Sequence, residues 1–161
     1  MSVLIYLDVC CLNRPFDDQT QERVRLESEA VLLILGRCQR GEWQLMGSEA
    51  LAEPLLWRVA LEINQTRDSQ RKSQLQAFAD LATLQVTVDE SIEVRAGVFI
   101  QQGLGTFDAL HLACAEASQS TALLTTDDRL VRWAGRQSDM LQVKVANPVR
   151  WLLEVMTDAN P

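Results

Sequence analysis

The feature that most constrains this chain is how its short apolar runs end. Val3–Leu7 and Ala122–Leu124 are almost continuously apolar, and each gives way to an acid: Asp8 directly, Asp127 after Thr125 and Thr126. Unalternating runs of this length, partly β-branched, belong to strands covered on both faces, as in a parallel sheet. After Asp8 the sequence predicts a polar turn containing Asn13, Pro15, Asp17 and Asp18, and the stretches beyond it carry helical spacing instead. Glu22–Arg40 places Val24, Val31, Leu32, Leu35 and Cys38 on one stripe, with Gly41 just past its end, which predicts an amphipathic helix.

The same alternation continues. Trp43–Met46 predicts a second strand, and Ser48 an N-cap for a helix over Glu49–Ile63, with Pro54 near its start. Gln65–Ala82 predicts a polar-faced helix, Leu84–Val88 a third strand, and Asp89 the cap of a helix reaching about Gln101. Gly103 and Gly105 mark a break, after which Thr106 would cap Phe107–Ala117. Asp128–Ala134, Gln142–Val145 and Pro148–Met156 read as helix, strand and helix. Strands separated by helices imply crossovers and an α/β fold, with a mainly parallel central sheet and helices on both faces. The 161 residues suit one domain over residues 1–156, with 157–161 as a frayed tail.

Composition narrows the functional classes. Fifteen Lys and Arg against 22 Asp and Glu give a net charge of −7, so no global basic field draws in nucleic acid. A polyanion would have to bind through a local patch or a metal ion. Cys10, Cys11, Cys38 and Cys114 form no CxxC pair and predict reduced, core-like thiols. The N-terminal apolar run is too short for a signal peptide, and no stretch approaches the roughly 18 apolar residues of a membrane span, so the expected location is the cytoplasm. Gly103-Leu104-Gly105 lacks the context of a dinucleotide loop, and no phosphate-binding GxxxxGK[ST] occurs.

The acids carry the chemistry. In open parallel sheets ligands sit beyond the carboxyl ends of the strands, where Asp8 and Asp127 fall. Asp108 and Glu53 lie in predicted first turns of helices, whose dipoles favour carboxylates, so four acids can converge. His111 is the single histidine and the cysteines lack zinc spacing. A carboxylate cluster suits Mg²⁺ or Mn²⁺, hard cations that keep exchangeable waters, neutralise a phosphodiester and activate water for attack. Taken singly, each acid also has an ordinary use as a strand terminator, turn residue or cap. His111, three residues after Asp108, reads as a buried histidine satisfied by a backbone carbonyl rather than a catalytic base. Arg14, Arg129 and Arg132 follow the acids closely and are candidates for holding phosphates. Trp43, Trp57, Trp133 and Trp151 read as core or interface residues rather than stacking platforms.

Four segments in order resemble the PIN-domain nucleases, including the VapC-type toxins of bacterial toxin–antitoxin pairs: Ile5-Tyr6-Leu7-Asp8, Leu51-Ala52-Glu53, Phe107-Asp108-Ala109-Leu110-His111-Leu112-Ala113 and Leu123-Leu124-Thr125-Thr126-Asp127. The run Cys10–Asp18 resembles a subgroup of small bacterial PIN proteins. The resemblance implies a PIN-like three-layer fold and Mg²⁺- or Mn²⁺-dependent endoribonuclease activity, with Asp8, Glu53, Asp108 and Asp127 as the metal-binding and catalytic acids. It also implies a homodimer and, for a toxin, an antitoxin partner whose arm crosses the cleft. Val9 stands where many members carry Thr or Ser, a gap that Asn13 or Thr125 could fill. Glu49, one helical turn before Glu53, competes for the second position, and Asp128 competes with Asp127. The rival expectation is the same fold used as a catalytically inactive RNA- or protein-binding module. A phosphatase using Asp8 as nucleophile would want an acid where Cys10 stands.

Overall fold

The computed structural model describes residues 2–48, 73, 77, 80–82 and 84–158. The expected helix Glu49–Ile63, and with it Glu49, Glu53, Pro54 and Trp57, lies outside the described residues. Of the expected helix Gln65–Ala82, Ser73, Ala77 and Asp80 are helical. The described elements run β1 (Val3–Leu7), α1 (Val9–Asn13), a 3₁₀ turn (Arg14–Phe16), α2 (Glu22–Gln39), β2 (Trp43–Ser48), β3 (Leu84–Val86), α3 (Glu90–Gln101), α4 (Thr106–Ala117), β4 (Ala122–Leu124), α5 (Asp128–Arg136), β5 (Lys144–Ala146) and α6 (Pro148–Asp158). The five strands form one sheet in the order β3-β2-β1-β4-β5, and every pairing is parallel.

Successive residues of a strand point to opposite faces, and the two cores divide along that rule. Tyr6, Met46 and Leu123 pack on one face with Ile92, Phe99, Leu112, Leu130 and Trp133, from α3, α4 and α5. Ile5, Leu7, Leu45, Ala122 and Leu124 pack on the other with Val31, Ile34, Leu35, Trp151 and Leu152, from α2 and α6. The result is the three-layer α/β arrangement that the alternation predicts. Trp43, Trp133 and Trp151 are all buried, which removes them as surfaces for stacking bases.

Several elements differ from the sequence reading. The expected polar turn after Asp8 is largely helical, because the Asp8 carboxylate accepts from the Val9 N–H and starts α1. On α2, Leu32 is exposed at 43%, while Glu27 and Ser28 share the buried stripe. Gly105 rather than Thr106 is the N-cap of α4. The last strand is Lys144–Ala146, not Gln142–Val145, because the Gln142 N–H is drawn to the Glu116 carboxylate instead of a ladder. Three helices end alike. After α2 and α3, the positive-φ residues Gly41 and Gly103 allow the paired backbone bonds of a Schellman cap. Gln119 closes α4 in the same way at φ 56°, with Gln119 N–H donating to Glu116 and Ser120 N–H to Ala115.

Candidate active site

The strand order reverses direction at β1, which has β2 on one side and β4 on the other. Chains leaving the carboxyl ends of β1 and β4 part to opposite faces there, and such a switch point is where an open α/β sheet offers a crevice. The ladder continues one residue into it: the Asp8 N–H donates to the Leu124 carbonyl at 2.9 Å. Asp8 is therefore fixed by the sheet as well as by its role as the cap of α1.

Thr125 joins the two strand ends. Its own N–H continues the sheet to the Ala146 carbonyl at 3.0 Å, and the residue is fully buried. Its hydroxyl donates to Asp8 Oδ2 at 2.9 Å and accepts the Asp127 N–H at 3.1 Å. One hydroxyl thus orients one acid and anchors the backbone of the next. Of the two residues that could make up for Val9, Thr125 is the one that meets Asp8; the Asn13 amide donates to the Val9 carbonyl. The Cys10 thiol packs against the same hydroxyl at 3.4 Å. Cys11 and Cys114 are buried, and Cys10 and Cys38 are half-buried.

Asp127 is the N-cap of α5 and accepts the Arg129 N–H at 2.9 Å. Asp128, its competitor, gives both carboxylate oxygens to Arg23, at 2.6 and 2.7 Å. Asp108 sits half-buried in the first turn of α4. Burial, then the charge of Asp8, then that of Asp127 push its pKa up from the usual 3.8 to about 6, with Arg129 opposing. Three of the four expected acids therefore lie within electrostatic reach of one another; the fourth, Glu53, is outside the described residues.

His111 lies one turn beyond Asp108 on α4 and is buried. Its partner is not the expected backbone carbonyl but the Tyr6 hydroxyl, which shares a 2.6 Å hydrogen bond with Nδ1. Burial lowers its pKa, against the charge of Asp8, and the ring serves the core.

The sequence reading passed over Glu27. Its side chain, 2% exposed, accepts from Arg14 Nε at 3.0 Å, from Arg23 at 3.4 Å and from Asn147 Nδ2 at 2.5 Å. Arg23 in turn donates to the Thr126 carbonyl at 3.2 Å. Glu27 thus ties α2 to the turn after β1, to the loop after β4 and to the end of β5. A carboxylate lying between Val24 and Val31 on the apolar stripe, one turn after an arginine, was the available signal. Arg14, one of the candidates for holding phosphates, is engaged by Glu27 and Asp17.

Carboxylate oxygens beside a threonine hydroxyl form a hard donor set, which suits Mg²⁺ or Mn²⁺ with several retained waters. Burial first, and then the neighbouring carboxylates of Asp8 and Asp127, make a charged Asp108 costly in the absence of a cation. Among the described residues, no three His, Cys, Asp or Glu side chains are already drawn together to hold an ion. The donors among the described residues fit such an ion in kind.

The profile of a family described as PIN domain matches residues 5–136. The fold is similar to that of VapBC2 from Rickettsia felis, solved bound to a DNA fragment from its promoter, with a TM-score of 0.56 and 14% identity over 90% of this chain and 98% of that one. It is also similar to PAE2754 from Pyrobaculum aerophilum, with a TM-score of 0.56 and 16% identity over 96% of this chain and 90% of that one. At such identities the likeness establishes the fold. No curated protein matches in sequence.

Proposed function

The chain belongs to the PIN domain family, and from that premise we propose that it is a Mg²⁺- or Mn²⁺-dependent endoribonuclease. The observation that carries this reading is the electrostatic convergence of Asp8, Asp108 and Asp127 at the β1/β4 switch point. These three, with Glu53, would hold the metal, which supplies charge neutralisation at the scissile phosphate and an activated water. Thr125 sets the direction of the Asp8 carboxylate. Asp127 is held both by its N–H bond to Thr125 and by capping α5, so its carboxylate is pre-oriented without a ligand. Arg23 draws Asp128 away from the cluster.

The reading extends to a toxin of a toxin–antitoxin pair, acting in the cytoplasm as a homodimer and restrained by an antitoxin. The Rickettsia felis VapBC2 fold supports that extension. Among the described residues no helix is long and apolar enough to cross a membrane. One observation favours a second reading, a catalytically inactive binding module: the described acids are not already drawn into a three-ligand group.

A pool of structured and single-stranded RNAs incubated with Mn²⁺, Mg²⁺ or chelator separates the two. Cleavage that needs the metal and is lost in Asp8→Asn is the expected result. RNA left intact by folded, partner-free wild type under every metal sinks the nuclease and leaves the binding module.

A further inference from the structure

We propose that α5 carries a phosphate-binding track along which single-stranded RNA leaves the acidic site. This deepens the endoribonuclease reading and rests on it. At 100° per residue, Arg129, Arg132 and Arg136 fall within a sector of roughly 60° on α5, and all three are exposed. Leu130, Trp133 and Ala134, centred roughly 120° around the helix from the arginines, are buried in the core, so the helix cannot turn the arginines inward. Three cations project together along about 10 Å of helix axis.

Two of these three cations make no close ion pair among the described residues, and the third is held only at its edge. Of the described Lys and Arg side chains, only Arg25, Arg132 and Arg136 have no carboxylate within 4.0 Å among the described residues. Asp128, the acid on the neighbouring position of the same helix, is occupied on both oxygens by Arg23. Arg129 reaches Asp127 only at 3.8 Å and is 87% exposed. In a chain of net charge −7, two of three unspent described cations fall on one helix face.

The track is joined to the site. The carboxylate of Asp127 caps the first turn of this helix, and the Arg129 guanidinium stands beside that same carboxylate. A strand whose scissile phosphate lies at the acids therefore meets Arg129 first and Arg132 and Arg136 further on. Guanidinium groups suit this work, since they grip phosphate oxygens with paired donors. Spacing along a helix reads backbone and not bases, so the track confers affinity and direction without sequence preference.

The test uses Arg132→Gln/Arg136→Gln, leaving the acids and Arg129 intact, with Arg25→Gln on α2 as a control. Binding of a labelled single-stranded RNA in chelator is followed between 50 and 200 mM salt, and cleavage is measured separately with metal. The double variant is expected to bind more weakly and to lower the salt slope by about 0.7 for each phosphate it no longer neutralises. It should also raise KM with kcat unchanged, while Arg25→Gln keeps the wild-type slope. An unchanged slope in the double variant, an equal loss in Arg25→Gln, or wild type that binds no RNA overturns the track. So does a double variant that loses binding to poly-glutamate alone, which would assign the face to an acidic protein segment. Wild type that binds RNA through the track but never cleaves it fails only the nuclease reading.

Discussion

Replacing Asp108 by Asn should stabilise the metal-free protein at pH 8 and leave it nearly unchanged at pH 4. The Asp108 carboxyl is lifted from 3.8 to about 6 by burial and by Asp8 and Asp127. A carboxyl whose pKa is raised by folding binds its proton more tightly in the folded state. Stability is then greatest in acid and falls as pH rises from about 4 through about 6. Two units at about 1.4 kcal/mol each give a ceiling near 3 kcal/mol. Asp108 is only half-buried, and solvent screening reduces this to about 1–2 kcal/mol. Asn also forfeits about 0.3–1 kcal/mol of the carboxylate's attraction to the α4 dipole. Burial and repulsion together remain the larger effect, so a net gain of about 1 kcal/mol is expected at pH 8. With a urea m-value of about 1–3 kcal/mol/M, the midpoint should move up by about 0.5 M. Urea titrations of both proteins in chelator, at pH 4 and 8, measure this. Added Mn²⁺ should then stabilise wild type more than the variant at pH 8, because the ion binds the folded state through the charge that Asn lacks. A variant less stable than wild type at pH 8, or an equal difference at both pH values, would refute the reasoning.

Two further outcomes test the frame around the site. Glu27→Ala strands Arg14 and Asn147 without the buried carboxylate they share and should cost about 3–5 kcal/mol, seen as a fall of about 10 °C in Tm. Gln119→Gly relieves a side chain held at φ 56° and should gain about 1 kcal/mol, raising Tm by about 2–4 °C with cleavage unaffected.

The strands around the site could be read from the sequence because their burial is two-sided. Ile5 and Leu124 face one layer while Tyr6 and Leu123 face the other, so both periods of the pattern are apolar. Asp8, Asp108 and Asp127 were legible for a related reason: each stands where regular structure begins or ends. What could not be read was partnership. Glu27 looks like a misplaced surface residue until Arg14, Arg23 and Asn147 arrive to meet it. His111 found a tyrosine 105 residues away, and no local rule names that choice. The helix after Asp8 was missed because its first turn depends on the Asp8 side chain acting as a cap, which competes with the turn signal of Asn13 and Pro15.

The bond from Thr125 to Asp8 spans 117 residues, and it has a consequence for biosynthesis. β1 is made first, but its β4 neighbour, and the hydroxyl that orients Asp8, emerge only when most of the chain has been translated. At about 5–20 residues per second, the interval is on the order of ten seconds. Through that time Asp8 has only its local bond to the Val9 N–H, without the hydroxyl that orients its other oxygen or the later acids beside it. Joining β4 to β1 and bringing the acids together are therefore one event.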